Sequence, residues 1–322
     1  MLVLGLQGSP RLRGNTGYLL STFLEEAGKL GARTRLVEVD KKNIVPCKEY
    51  VVCEKKGFCP IDDDMKHEIY PLLREAEVVV AATPIFFYNM TAQLKALVDR
   101  CQTMWARKYR FKLKDPAQKR RKGFLLSVGA TKGKNLFEGL ELAIRYFFDA
   151  LDADYAGSLT YRGIEHSDDM RKHPTVKEDV RSAVNRVVGP LAGRKKILFA
   201  CEDNAFLSQM AGAFAQIIAG DRLDVATAGV NPAEKLDSDM VEAMREKKID
   251  MKFRNLRSVE DAVAEESPET VVCLGQQTDR MISADIEREI WKIDQGDEAS
   301  LENARRIRDE IERKVSAYVE TL

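Results

Sequence analysis

The feature that most constrains this chain is an alternation. Short apolar runs are separated by longer amphipathic stretches: MLVLGL and then residues 15–30, TRLVEV and 62–75, EVVVAAT and 91–105, GFLLSVGA and 134–151, DYAGSLTY and 175–190. Runs so apolar have no polar face to give to water. Each must be buried on both sides, which calls for a parallel sheet with helices on both faces. At GPLAGRKK, residues 189–196, Gly, Pro and basic residues break the pattern, which then restarts with KILFA, 205–219, LDVATAG, 237–248, TVVCLG and a closing helix. A chain of 322 residues exceeds one ordinary core. The sequence therefore predicts an α/β protein of two domains: residues 1–192 around a doubly wound five-stranded parallel sheet, and residues 193–322 around a smaller four-stranded parallel sheet.

The closing helix is the easiest to read. From Ser300, residues Leu301, Ala304, Ile307, Ile311, Val315 and Val319 recur at spacings of three and four, a stripe that packs on a core. The 51 Lys and Arg balance 51 Asp and Glu, which argues against binding nucleic acid or an acidic membrane. One basic stretch, ARKYRFKLKDPAQKRRK at 106–122, reads as a solvated loop or as a site for a dinucleotide phosphate or a partner. Of six cysteines, three crowd into 47–59, which is not a secreted disulfide framework, and reduced thiols fit a cytoplasm. No signal peptide is evident and no run reaches the ~18 apolar residues that span a bilayer. A soluble, cytoplasmic protein is expected.

Three loops at strand ends carry the chemistry. QGSPRLRGNTGYLL follows the first strand, and such a loop gathers backbone N–H groups at a helix N-terminus, where they can surround a phosphate. Ser9, Asn15 and Thr16 add side-chain donors, Arg11 adds charge, and Gly8 and Gly14 permit close approach. TPIFFYNMTAQLKALVDR, residues 83–100, puts apolar and aromatic side chains at the end of the third strand, where they can face a flat ring. VGATKGKN, residues 128–135, follows the fourth strand. The three loops are expected to converge on one crevice.

GSPRxxGNT, TPIFFYNMTAQLKALVDR and the interposed cysteine segment ending DDM resemble the flavodoxin-like NAD(P)H-dependent FMN reductases, in particular their iron-sulfur flavoprotein branch, over about residues 1–190. The resemblance implies that Ser9, Arg11, Asn15 and Thr16, with Gly14, hold the FMN phosphate. It implies that Pro84, Ile85, Phe86, Phe87, Tyr88 and Asn89 flank the isoalloxazine and that Gly129, Ala130 and Thr131 approach its far side. NAD(P)H would be the reductant, a small molecule or protein the electron acceptor, and a homodimer or higher oligomer would complete the flavin pockets. Hydride transfer belongs to the flavin, so no acid-base residue is expected.

The cysteine segment departs from that family. In PCKEYVVCEKKGFCPIDDDM, Cys47, Cys53 and Cys59 fall at three of the four places of the iron-sulfur branch, and Tyr50 occupies the fourth. A cubane cluster normally takes four thiolates. Three readings stay open: free thiols in a structured loop, a cluster with an open iron or an outside ligand such as Cys101, and zinc or another metal. The acidic run 62–64 is expected to favour the N-terminus of the helix that follows.

The second half resembles the low-molecular-weight tyrosine phosphatase and arsenate reductase superfamily over about residues 195–322, on ILFACEDNAFLSQM, ATAGVNP, VVCLG, WKID and the closing helix. That family's loop runs cysteine, five residues, arginine, serine. Here Cys201 and Ser208 keep their places, as does Asn204, but Leu207 stands where arginine grips the oxyanion. Glu202 and Asp203 would repel an anion and favour the neutral thiol. Asp294 falls where the family has its general acid, followed by Gln295 in place of proline, and GQQTDRMISAD, residues 275–285, holds no relay cysteine. Cys201 therefore reads as a remnant or a redox-sensitive thiol, Asp294 as vestigial, Cys273 as core, and the domain as one without phosphatase or arsenate reductase activity. The whole reads as an FMN-dependent NAD(P)H oxidoreductase with a phosphatase-like appendage. Its rivals are a non-enzymatic flavin or redox sensor and an electron carrier using FMN and a cluster.

Overall fold

The computed structural model describes residues 1–279, 286–296 and 300–322. It divides into two units, one of Met1–Lys112 and Arg120–Ala192, the other of Leu113–Lys119 and Gly193–Leu322. In the first, strands β1 (Leu2–Gln7), β2 (Arg33–Glu38), β3 (Val78–Pro84), β4 (Lys122–Gly129) and β5 (Asp154–Arg162) form a parallel sheet in the order β2-β1-β3-β4-β5. The second sheet is also parallel, with β6 (Lys195–Cys201), β7 (Leu223–Gly229), β8 (Thr270–Leu274) and β9 (Glu287–Trp291) in the order β7-β6-β8-β9. Both architectures are those the alternation of the sequence predicts.

Apolar content tracks position in the sheet. All six residues of β1 are buried, as are six of the seven in β3 and seven of the eight in β4, because helices cover both faces of these inner strands. The edges β2 and β5 are half exposed, and Leu36 of β2 faces water. In the second unit the larger core joins Phe199, Met210, Phe214 and Trp291 to the closing helix Leu301–Thr321. That helix buries Ala304, Ile307, Ile311, Val315 and Val319, the expected stripe, and Ser300 caps it by accepting from Asn303 N. Cys273 is core, in β8.

Three local features differ from the sequence reading. The helix expected over 91–105 is two, Ala92–Arg100 and Gln102–Tyr109. The one expected over 62–75 opens with a π-turn, Met65–Ile69, before Tyr70–Glu75, and Pro71, which has no N–H for the ladder, sits just past the junction. The basic stretch 106–122 is largely structural. Arg121 is fully buried and donates to the carbonyls of Arg74, Ala76 and Leu151 at 2.7, 2.8 and 2.9 Å, while Arg107 donates to Gly57 O at 2.9 Å. Those guanidinium groups satisfy carbonyls at helix C-termini and are unavailable to a phosphate. Within the same stretch, Leu113–Lys119 is part of the second unit, where Lys114 N donates to Lys248 O and Asp250 N to Lys114 O.

Among the described residues, no helix is long and apolar enough to cross a membrane.

Candidate functional site

The sheet order of the first unit reverses direction between β1 and β3, so the loops leaving their carboxyl ends part and open a crevice. The loop after β1 is tied down by backbone. Gly8 N donates to Ala82 O at 2.7 Å, Thr91 Oγ1 donates to Gly8 O at 2.6 Å, and Gly14 N closes a turn on Arg11 O at 3.0 Å. Glycines are obligatory here: a side chain begun at Gly17 would run into Leu12 O, and one at Gly8 would begin 2.9 Å from Leu94 Cβ. The helix Asn15–Lys29 then starts at Gly14 with no side-chain cap and no acid in its first turn. Its leading N–H groups and the positive end of its dipole have no anionic side chain to answer them.

Of the expected phosphate ligands, Ser9 is buried and its Oγ accepts from Arg11 N at 3.1 Å, and Thr16 is buried in the first turn. Asn15 is held by two bonds that leave one Nδ2 hydrogen over. Its Nδ2 donates to His166 O at 2.8 Å and its Oδ1 accepts from Met170 N at 3.1 Å, so it clamps the loop beyond β5 to the helix start.

The loop after β3 turns sharply at 86–89, with Phe86 N donating to Asn89 O at 2.9 Å and Asn89 N to Phe86 O at 3.0 Å. Phe87 and Tyr88, at φ of 47° and 61°, hold the left-handed conformations that such a turn normally gives to Asn or Gly. Bulky residues there store strain of order 1 kcal/mol each. Phe87 is completely exposed, and Phe86 and Tyr88 are each 51% exposed. The loop after β4 meets this one: Ile85 N donates to Val128 O at 3.0 Å, and Tyr88 Oη lies 2.6 Å from where a side chain on Gly133 would begin. Thus 84–89 and 129–133 come together beside the β1 loop. These loops offer a glycine-lined anion seat and strained aromatics facing water, which fits a flavin nucleotide with its phosphate over the helix and its ring against the aromatics.

Two buried features were not foreseen by the sequence reading, an unpaired amide and an ion pair. Gln7, the last residue of β1, is 1% exposed with neither amide atom partnered; a polar residue ending an apolar run was its only signal. Asp63 and Arg100 form a buried ion pair at 2.5 and 3.1 Å, and Asp63 also accepts from Val45 N at 3.0 Å and Met65 N at 3.1 Å. The acidic run therefore does serve a helix start, but its chief work is to fasten the root of the cysteine segment.

Cys47 is exposed, and Cys53 and Cys59 are partly buried. Burial, reinforced by the neighbouring Cys59 and Cys47, pushes the Cys53 thiol up. Tyr50 is 61% exposed, and Cys101 is buried with its thiol pushed up to about 12 by burial. Among the described residues, no group of three or more His, Cys, Asp or Glu side chains is arranged to hold a metal ion. Three thiols and a phenol do not fit a four-thiolate cluster.

In the second unit β6 delivers Cys201 into the loop that leads to the helix Leu207–Ala219. Cys201 Sγ lies 3.0 Å from Ser208 Oγ, which accepts from Asn204 Nδ2 at 2.9 Å. Asn204 holds a left-handed turn, φ 53°, and its Oδ1 accepts from Arg257 N at 3.1 Å. The frame of an oxyanion loop is intact, but its contents are not. Asp203 Oδ1 accepts from Ala205 N at 2.9 Å and lies 3.5 Å from the Cys201 thiol, so the chain's own carboxylate takes a loop amide. Burial pushes that thiol up, Ser208 pulls it down, and Asp203 adds to the rise. Leu207 is 4% exposed and packs into the core. Glu202 accepts from Asn231 Nδ2 at 2.6 Å. A cleft of about 260 Å³ beside the loop is lined by Asp203, Asp237 and Asp239 and by no basic side chain among the described residues. Asp294 pairs with Arg306 at 3.6 Å and accepts from Gly296 N at 3.0 Å. Of the stretch expected to lack relay cysteines, 280–285 lies outside the described residues.

Comparison with known proteins gives each unit a family. The family model described as NADPH-dependent FMN reductase matches residues 1–140, and that of low molecular weight phosphotyrosine protein phosphatase matches residues 196–322. An iron-sulfur flavoprotein of Methanosarcina thermophila is 37% identical over 132 residues, covering 41% of this chain and 65% of its own length. One from Methanocaldococcus jannaschii is 36% identical over 151 residues, 46% of this chain and 70% of its own. An arsenate reductase of Bacillus licheniformis is 30% identical over 138 residues, 40% of this chain and 97% of its own. The chain thus spans less than two thirds of the first of these flavoproteins.

Proposed function

The chain belongs in its first unit to the NADPH-dependent FMN reductase family, in its iron-sulfur flavoprotein branch, and in its second to the low-molecular-weight phosphotyrosine phosphatase family, and on that premise we propose that it is an FMN-dependent NAD(P)H oxidoreductase whose second unit does not turn over oxyanions. What carries the reading is the crevice at the β1/β3 reversal. There a helix N-terminus without cap or acid stands beside two aromatic and glycine-bearing loops. Ser9, Arg11, Thr16 and the amides of 14–17 would hold the phosphate, residues 84–89 would lie along the ring, and 129–131 would close its far side. Asn15, which clamps the 163–170 loop, would add its second Nδ2 hydrogen to the phosphate. Bound FMN would supply the hydride chemistry, with NAD(P)H as reductant and a small molecule or protein as acceptor; the chain's residues bind, orient and exclude water. Cys47, Cys53 and Cys59 act as free thiols in this reading. A soluble homodimer or higher oligomer, in the cytoplasm, is part of the same proposal.

The test is anaerobic isolation of the full chain, followed by flavin titration and NAD(P)H oxidation. We expect about one FMN per chain and turnover that depends on it. A protein that takes up no FMN on reconstitution would refute the reading, and about four irons with four sulfides per chain would refute its cysteine clause.

A further inference from the structure

The corner after β1 holds a group that the chain itself leaves unused. Gln7 is 1% exposed, and neither Nε2 nor Oε1 has a hydrogen-bond partner. Its Nε2 lies 3.3 Å from the point where a side chain on Gly17 would begin, a point that Leu12 O also crowds. The amide is therefore lodged against the turn 12–17, at the start of the helix Asn15–Lys29. That helix has no side-chain cap and no acid in its first turn. A buried primary amide without partners is costly, and methionine would fill the same space without the cost. Such a group persists where something outside the chain completes it.

We propose that Gln7 is a ligand of the flavin phosphate: its amide N–H donates to a phosphate oxygen seated at the helix N-terminus, and so helps the site choose a phosphorylated flavin over riboflavin. This rests on the flavin reading above. A neutral donor suits the place. It adds a hydrogen bond to an anion without the repulsion a carboxylate would bring, and a bond to a charged acceptor is stronger than one to water.

The experiment titrates flavin-free full-length protein with FMN and with riboflavin, comparing wild type, Gln7→Met and Gln7→Glu, and records the apo-protein melting temperature. For Gln7→Met we expect an apo melting temperature equal to or above that of wild type, FMN affinity weakened on the order of tenfold, and unchanged riboflavin affinity. Gln7→Glu should weaken FMN further. Unchanged FMN affinity in Gln7→Met overturns the proposal. So does a parallel fall for both flavins with a lower melting temperature, which would make Gln7 a structural residue or the holder of a buried water. If Gln7→Met does not fold, FMN affinity in Gln7→Glu that equals wild type overturns it alone. Wild type that binds riboflavin and FMN equally sinks this inference and spares the flavin site; wild type that binds neither sinks both.

Discussion

The corner after β1 and the corner after β6 are the same construction with opposite contents. Each takes a buried parallel strand into a short loop and then into a helix that starts without a side-chain cap. Each relies on tight glycine contacts: Gly17 against Leu12 O, and Gly229, where a side chain would begin 2.6 Å from Asn204 N. In the first corner no acid stands in the loop or in the helix's first turn, Arg11 and Arg13 add positive charge, and Gln7 is unpaired. In the second, Asp203 occupies a loop amide and leans on the thiol, and the residue that should bring a positive charge is a leucine in the core. A strand–loop–helix corner is thus only an anion seat in outline. What the corner binds is decided by which of its donors the chain has already answered, and with what charge.

The largest effect should come from giving the first corner the second's defect. Gly14→Asp puts a carboxylate at the N-cap of Asn15–Lys29, where it would satisfy the free amides. A side chain there begins 3.1 Å from Arg11 O and 3.2 Å from Arg11 Cβ, so the 11–14 turn must give by a few tenths of an ångström. Repulsion between that carboxylate and a phosphate about 4 Å away should weaken FMN binding on the order of 100-fold. The apo-protein should meanwhile melt at the same or a higher temperature, because the new cap stabilises the helix. Isothermal titration with FMN beside a thermal melt checks both signs. FMN affinity within a factor of about three of wild type would break the comparison, since the helix start would then not be the seat.

The converse change, Leu207→Arg, should fail to make the second corner work. The position is 4% exposed and packs among core residues of the helix and sheet, so an arginine must either bury its charge or push the first turn outward. A loss of about 2 kcal/mol in unfolding free energy is expected, with no gain of turnover on an aryl phosphate or on arsenate with a thiol donor. Denaturant melts and the two assays decide it. Wild-type turnover abolished by Cys201→Ser would refute the claim that this corner is chemically silent.

These two corners also mark what a sequence can and cannot show. The strands were legible because inner parallel strands must be apolar on both faces, and the closing helix because Leu301 to Val319 keep one stripe. The loops were legible as loops because their glycines and hydroxyls cluster at strand ends. Their partners were not, because a side chain's partner lies in another element. Asn15 has the chemistry of a phosphate ligand, but its bonds to His166 O and Met170 N, 151 and 155 residues away in sequence, were not legible. Arg121 sits in a run that reads as a solvated basic loop, yet it satisfies three carbonyls from distant elements. Leu113–Lys119 carries no break in composition that would assign it to the second unit; only its pairing beside Ile249 does so. Leu207 and Asp203 were visible as departures from a motif, but the carboxylate's place on Ala205 N was not.

The smallest effect isolates the charge of Asp203 from its geometry. Asp203→Asn keeps an Oδ1 acceptor for Ala205 N and removes only the negative charge 3.5 Å from Cys201 Sγ. Burial is the larger cause of the raised thiol and is untouched by this change, so the pKa should fall partway towards its ordinary value, not below it. Alkylation of Cys201 by iodoacetamide near neutral pH should then quicken by roughly 3- to 10-fold, with the rate–pH curve moved to lower pH. The linkage has a definite sign. The native thiol holds its proton more tightly than the unfolded one, so its contribution to stability is complete below the ordinary thiol pKa of about 8.5 and is lost as pH rises through the raised native value. Cys273, pushed up to about 11, contributes in the same direction. Asp203→Asn should therefore lessen the decline in stability above pH ~8.5 without abolishing it. An alkylation rate that does not change would mean the carboxylate is screened from the thiol, and the silence proposed for the second corner would then rest on Leu207 and burial alone.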